Sequence, residues 1–342
     1  MAFLLDESGS DLVDEAGSYL LDEGGWVVAK TGGLGDHFYV GGFDVSGDVN
    51  AVGQLGGGPA LLDVTAINKS ANERIGGLRA ADWQFTSFFE YTPAVSAPGF
   101  PATGVTVTST YASPVLVTIA GGTVTGVTVN GVSAGSADGS YLLPALGTIS
   151  VAYTGSPTWT WAAVGAAHAA LSALPTADQI VTYFRGGALQ SPAASISGKQ
   201  INYDPTRDNA GNLTLAVEVQ SDGYGMEWGE QLTAGIRQDT AATAGPAITD
   251  TAGTAFGAQA YVHLLGFIGT SVTIAIEHCT TSGGSYTSLL ATTAMTGIGA
   301  QRLAVPNTTT VDQYLKVATS GTFTWAAFAV DFVRNPVAGQ VF

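Results

Sequence analysis

The sequence predicts an all-β protein, on three observations. Only 11% of its 342 residues are charged while 46% are hydrophobic, and 46 residues are Gly, a composition poor in the charged residues that favour helices. Apolar side chains alternate with polar ones, as in Trp83, Phe85, Ser87 and Phe89 against Gln84, Thr86 and Phe88, which is the period of a strand with one apolar face. Gly, Pro and Asn-Gly clusters break these runs into turns. At this length two or three folded units are expected.

Residues 1–36 read as an acidic arm. LLDESGSD from Leu4, LVDEAGSY from Leu12 and LLDEGGWV from Leu20 repeat with a period of eight, and seven of the chain's 27 acids fall in them, ahead of the first base, Lys30. Such sequence reads either as strand–turn units lying across a neighbour or as a solvated tail. Its acid spacing fits neither the EF-hand loop nor the nonapeptide β-roll.

Residues 37–93 open the main β-domain. HFYVGGFDVSGDVNAV from His37 gives a strand and a turn. QLGGGP, Gln54–Pro59, lacks the Gly-Lys-Ser/Thr close of a phosphate loop and reads as a flexible connection. Leu61, Leu62, Val64 and Ile67 form a short strand that breaks at Asn68-Lys69-Ser70. A charged knuckle, Glu73–Arg79, hinged at Gly76-Gly77, then leads into the aromatic strand.

Pro93, Pro98 and Pro101 mark a linker into residues 94–163, where short strands (VTVTST, VLVTIA, VTGVTVNG, TISVAY) suit a minimal β-sandwich inserted in a surface loop. Asn130-Gly131 signals a hairpin. Trp159 and Trp161 share a face, as core or as a seat on the parent domain. Residues 164–237 resume that domain. Ala166–Leu174 is the one helix candidate, stopped by Pro175, and Gln179–Arg185, Ala194–Tyr203 and Leu213–Gln220 are strands. Asp204–Asn212 is a hairpin tip built from ordinary turn residues. Residues 238–257, rich in Thr, Ala and Gly, read as a linker. Residues 258–342 read as a second sandwich whose last strand, with Phe323, Trp325 and Ala327 on one face and Phe328, Val330 and Phe332 on the other, is buried on both sides.

The inventory for chemistry is thin. Four His and one Cys offer few nucleophiles or metal ligands, and no G-x-S-x-G, H-E-x-x-H or repeated C-x-x-C occurs. Glu277, His278 and Cys279 are adjacent in a strand, so neighbours face opposite ways and form no dyad. No enzyme, no cofactor and no metal are expected. Cys279 alone gives no disulfide framework, and a reducing cytoplasm suits it. The opening MAFLLDESGSD has no basic leader region, and no apolar run reaches the roughly 18 residues of a membrane helix. A net charge of −16 with 11 dispersed bases opposes a grip on nucleic acid.

The order LLDVT, polar loop, ERIGGLR, aromatic strand, joined by Gln200–Gly235 and Gln313–Asn335, resembles the major tail tube proteins of long-tailed phages, especially those of actinobacterial hosts. The stretch Tyr153–Trp161 (YTGSPTWTW) resembles the close of an immunoglobulin-like module found in many phage structural proteins. The resemblance implies a β-sandwich that joins its neighbours into hexameric rings, or trimeric rings of pseudo-sixfold symmetry, stacked as a tube in the virion tail and assembled in the host cytoplasm. It implies tape measure, tail terminator and tail tip proteins as partners, and DNA passing the lumen without specific binding. Under it, Glu73, Arg74 and Arg79 on the knuckle and Asp204, Arg207 and Asp208 on the second tip are the expected contacts between rings. A head decoration or minor tail protein is an alternative. So is a carbohydrate-binding adhesin with Trp159, Trp161 and Trp325 as sugar platforms.

Overall fold

A computed structural model describes residues 35–88, 95–111, 115–143, 147–163, 170–172, 177–207, 213–250 and 252–337. The strands are β1 (His37–Val40), β2 (Phe43–Asp44), β3 (Val49–Asp63), β4 (Arg74–Phe88), β5 (Thr106–Thr108), β6 (Val115–Ala120), β7 (Thr123–Val129), β8 (Val132–Gly135), β9 (Gly139–Leu143), β10 (Thr148–Thr154) and β11 (Thr158–Ala163). They continue as β12 (Gln179–Phe184), β13 (Pro192–Arg207), β14 (Leu213–Ser221), β15 (Glu227–Gln231), β16 (Arg237–Asp239), β17 (Ile248–Thr249), β18 (Ala258–Cys279), β19 (Thr287–Ala291), β20 (Gly299–Ala304) and β21 (Tyr314–Arg334). The protein is all-β, as its composition predicts.

Fourteen strands form one antiparallel sheet whose main path is β19-β18-β21-β15-β13-β12-β1-β2. β13 is long enough to serve two neighbourhoods. Its first half pairs with β12 on one side and β15 on the other, and from Gly198 onward it pairs with β14, which carries β4 and β3 beyond it. The aromatic alternation of β4 holds: Trp83, Phe85 and Ser87 are buried, and the first two pack with Leu215, Val217, Val219 and Phe38.

Residues 106–163 make two small sheets, β5-β10-β7-β8 and β11-β6-β9. Asn130 and Gly131 both take positive φ, 49° and 78°, between the paired Val129 and Val132, as a tight primed turn requires. Trp159 and Trp161 pack edge to face at 5.4 Å, and their cluster also contains Trp325 and Ala327 of β21. The small sheets and the long last strand therefore share one apolar core. β21 is buried on both faces from Trp325 to Val333, as its sequence predicts.

Several expectations need correction. Gln54–Pro59 is not a loop but the middle of β3, paired with β4; a glycine run leaves no periodic side chains to reveal it. The Glu73–Arg79 knuckle is mostly strand, for β4 starts at Arg74 and the turn occupies 64–73. Residues 238–257 are not a free connection. β16 and β17 pair with β21, and Gly245 N–H donates to Val317 O at 2.8 Å. Residues 258–342 supply β18 to β21 to the same sheet that β13 belongs to. Of the helix candidate only 170–172 are described, with Ala170 and Leu171 buried. The acidic repeat lies outside the described residues.

Candidate inter-subunit surface

Beyond Gly198 the strands β13, β14, β4 and β3 form a four-stranded extension in that order. Its two outer strands are edges: β3 pairs with β4 alone, and residues 199–207 pair with β14 alone among the described residues. Each edge carries a proline, Pro59 in β3 and Pro205 in β13, a residue that sheets accept at an edge because no ladder bond is asked of its nitrogen. Among the described residues, the stretches with no second ladder include Val49–Gly58 and Lys199–Asn202.

One face of the extension is the apolar core just described. The other is polar, and the cross-strand register shows how. Gln54, Gln84, Glu218 and Asn202 form one row, and Asp82, Gln220 and Lys199 a second. Thr86, Ala216 and Asp204 form a third. Gln220 Nε2 donates to Glu218 at 3.1 Å, and Thr86 Oγ1 donates to Asn50 Oδ1 at 2.6 Å. The bare backbone of Gly56–Gly58 leaves a groove of about 340 Å³ over Asp82 and Gln220, and a second of about 220 Å³ runs past Gln84 and Glu218. These three rows contain three carboxylates and one base; Lys199 is held by Asp178 and, at 3.2 Å, by Asp222.

The sequence-predicted contact residues separate into two groups. Glu73 sits in the turn, bonded by Lys69 at 2.8 Å, and its N–H donates to Thr65 Oγ1 at 2.7 Å. Thr65 Oγ1 donates to Asp63 Oδ1 at 2.5 Å and Thr65 N–H at 2.9 Å, and these two bonds, the hydroxyl's first, hold the Asp63 carboxyl below the usual carboxylate range. Arg74 begins β4 opposite Asp63, and Arg79 lies opposite Pro59. Asp204 pairs with Ala216 and Arg207 with Leu213, at the far end of the same sheet, where Thr214 meets Phe88. Asp208 lies outside the described residues. From Arg74 to Phe88 is fourteen strand steps, roughly 45 Å at about 3.3 Å each, so the two charged ends are opposite ends of one sheet.

Sequence reasoning missed the apolar part of the first end. Ile67 is 106% and Leu78 89% exposed, and Leu62 and Ile75, directly opposite each other, are each half-exposed. The signal was present in Val64 and Ile67, which continue an apolar run into polar sequence.

Other chemical candidates disperse. Glu277 pairs with Lys316 at 3.0 Å, His278 with Asp312 at 3.1 Å, and Cys279 is buried. Among the described residues no three His, Cys, Asp or Glu side chains converge to hold a metal ion. Trp159, Trp161 and Trp325 are 8%, 7% and 1% exposed, so they are core residues and not sugar platforms.

No protein family model matches the chain, and no curated protein matches it. Among solved structures it aligns with the Dit protein (gp 19.1) of SPP1, described as a hub adsorption apparatus of phages infecting Gram-positive hosts. Identity is 7% and the TM-score 0.26, over 87% of this chain and 99% of that one. A likeness at that level assigns neither family nor function.

Proposed function

We propose that the protein is a structural subunit of a phage tail tube, which polymerises as rings stacked into a hollow conduit for DNA. The observation that carries this reading is the four-stranded extension, whose outer strands β3 and β13 each pair on one side alone among the described residues, and whose two charged tips lie at opposite ends. A tube needs one contact that closes by rotation and one that stays open along the axis. Edges supply the first. β13, β14, β4 and β3 alternate in direction, so a copy rotated about the tube axis sets its β13 edge antiparallel beside the β3 edge of its neighbour, and exposed edges invite such pairing. Tips supply the second, with Arg74, Leu78 and Ile67 at one end facing the Asp204–Arg207 end of the next ring.

The polar face supports the same reading. Its carboxylates repel phosphates and leave a passing duplex unheld, as does the net charge of −16. Rings of six, or of three with pseudo-sixfold symmetry, and contacts with tape measure, terminator and tip proteins belong to this proposal. The adhesin reading loses its premise, because the tryptophans it needs are buried. Negative-stain electron microscopy at rising protein concentration tests the tube. Hollow filaments of uniform width with a regular axial repeat are expected, and persistence of monomers or small closed oligomers would refute it.

A further inference from the structure

The β3–β4 hairpin outgrows the sheet that carries it. From Asp82 onward β4 has β14 on its far side, but residues 74–80 pair with β3 alone among the described residues, and a two-stranded ribbon by itself is marginal in water. The face of β4 that buries Ala81, Trp83 and Phe85 continues to Ile75, with Leu62 opposite it, and there the side chains are half-exposed. Val64 and Ile67 extend the apolar patch into the turn. Residues 59–79 also hold three bases, Lys69, Arg74 and Arg79, against two acids, Asp63 and Glu73, in a chain with 27 acids and 11 bases. An exposed apolar face on a locally basic segment suits a partner that is apolar and acidic.

The chain itself contains such a segment. Leu4-Leu5-Asp6-Glu7, Leu12-Val13-Asp14-Glu15 and Leu20-Leu21-Asp22-Glu23 each set an apolar pair beside an acidic pair, and no base precedes Lys30. The segment joins the body at Asp36, whose carboxylate accepts bonds from Arg185 Nη1 at 2.8 Å, from Gly186 N–H at 2.9 Å and from the Tyr183 hydroxyl. His37 pairs with Phe184, and Phe184 with Ala193, upstream of Gly198 in β13. β13 and β4 are both antiparallel to β14 and so run the same way, with Ser221 opposite Gly198 and Gln220 opposite Asp82. Asp36 therefore stands at the end of the sheet where the hairpin projects.

Ring geometry decides whose hairpin is in reach. Gly198 pairs with Gln179 of β12 on one side and Ser221 of β14 on the other, so the edge of β13 beyond it lies on the side of β12 and β1. A copy's own β3 is on the opposite side, past β14 and β4. In the ring proposed above, the neighbour's β3 lies directly beside that β13 edge, and rotation about the tube axis keeps the hairpins level. The neighbour's hairpin then rises along the side from which residues 1–34 depart, and that many residues span at most roughly 110–120 Å.

We propose, resting on that ring, that the acidic repeat of one copy covers the apolar face of its neighbour's β3–β4 hairpin. The Leu-Leu and Leu-Val pairs lie on Leu62 and Ile75, and the Asp-Glu pairs lie beside Arg74 and Arg79.

Disulfide trapping between full-length chains tests the contact. One copy carries Leu4→Cys, Leu12→Cys or Leu20→Cys and the other Ile75→Cys; the two are mixed, oxidised and digested, and the joined peptides are identified by mass spectrometry. At least one pairing is expected to link about tenfold faster than the same arm variants with Thr158→Cys, an exposed strand position of the small sheets. Changing Asp6, Asp14 and Asp22 to Asn and Glu7, Glu15 and Glu23 to Gln is expected to slow linkage about tenfold at low salt. Linkage no faster than at Thr158→Cys, linkage only when both cysteines sit in one copy, or an amide form that links as fast as the acidic one would each overturn the contact. Electron microscopy of the same samples separates this inference from the tube itself. Filaments without linkage would sink the arm contact and leave the tube standing, whereas linkage in small closed oligomers would refute the tube and keep the contact.

Discussion

Arg302 and Glu227 show what a single pair does inside this sheet. The guanidinium is 10% and the carboxylate 0% exposed, joined at 2.7 Å, and Arg302 also lies 3.7 Å from the centre of the Tyr224 ring. Removing one partner strands the other charge in a dry site, so Arg302→Ala is expected to cost about 3–5 kcal/mol in urea unfolding. Arg302→Ala with Glu227→Gln is expected to recover part of that loss, since no charge is then left unpaired. A loss under about 1 kcal/mol for the single variant would mean that water reaches Glu227. The sequence does not reveal such residues. Thr182 in QIVTYF and Ser195 in PAASIS read as the polar half of an alternating strand, and nothing local says that His263 and Asp331 meet them from far along the chain. Trp83 and Phe85 are legible because their partners matter less than their period: any strand that alternates so strongly buries that face.

At the scale of the element, the β3–β4 hairpin divides in two. Trp83 and Phe85 fix its inner half in the core, while Arg74, Ile75 and Leu78 stand on an outer half exposed to water. Substitutions therefore separate folding from assembly. Leu78→Asp is expected to change unfolding free energy by less than about 0.5 kcal/mol, as surface changes do. Arg74→Glu places like charges opposite Asp63 and is expected to cost about 0.2–1 kcal/mol. Both are expected to leave the monomer folded and to abolish filaments in sedimentation and microscopy. Normal filaments from both variants would remove this end of the hairpin from the axial contact. The triple glycine gives the hairpin the sequence pattern of a loop followed by a knuckle. Gly56, Gly57 and Gly58 carry no side chain to show a period, yet their backbone continues the ladder to Asp82, Ala81 and Ala80.

Across the whole molecule the continuity of the sheet was the least legible feature. The Thr-, Ala- and Gly-rich stretch after Arg237 has the composition of a connection, and composition does not say which strand a backbone will pair with. Small side chains let it lie along β21, where Arg237 binds Asp239 at 2.8 Å and donates to Val317 O at 2.6 Å. Charge distribution is the other whole-molecule property, and it was legible, because it depends on sums and not on partners. A face carrying Asp82, Glu218 and Asp204 in a chain of net charge −16 is expected to leave duplex DNA unretarded in a gel even at about 50 mM salt, where phosphate contacts are strongest. The proposal that this face lines a lumen adds a sharper expectation. Asp82→Lys with Glu218→Lys changes two partly exposed side chains of the polar face, so assembly is expected to persist. DNA is then expected to bind, and to be released as salt rises, because each new phosphate contact gives up its counterions in proportion to the logarithm of the salt concentration. Filaments that form and still ignore DNA would place this face on the outside of the tube wall and leave the conduit to be lined by another surface.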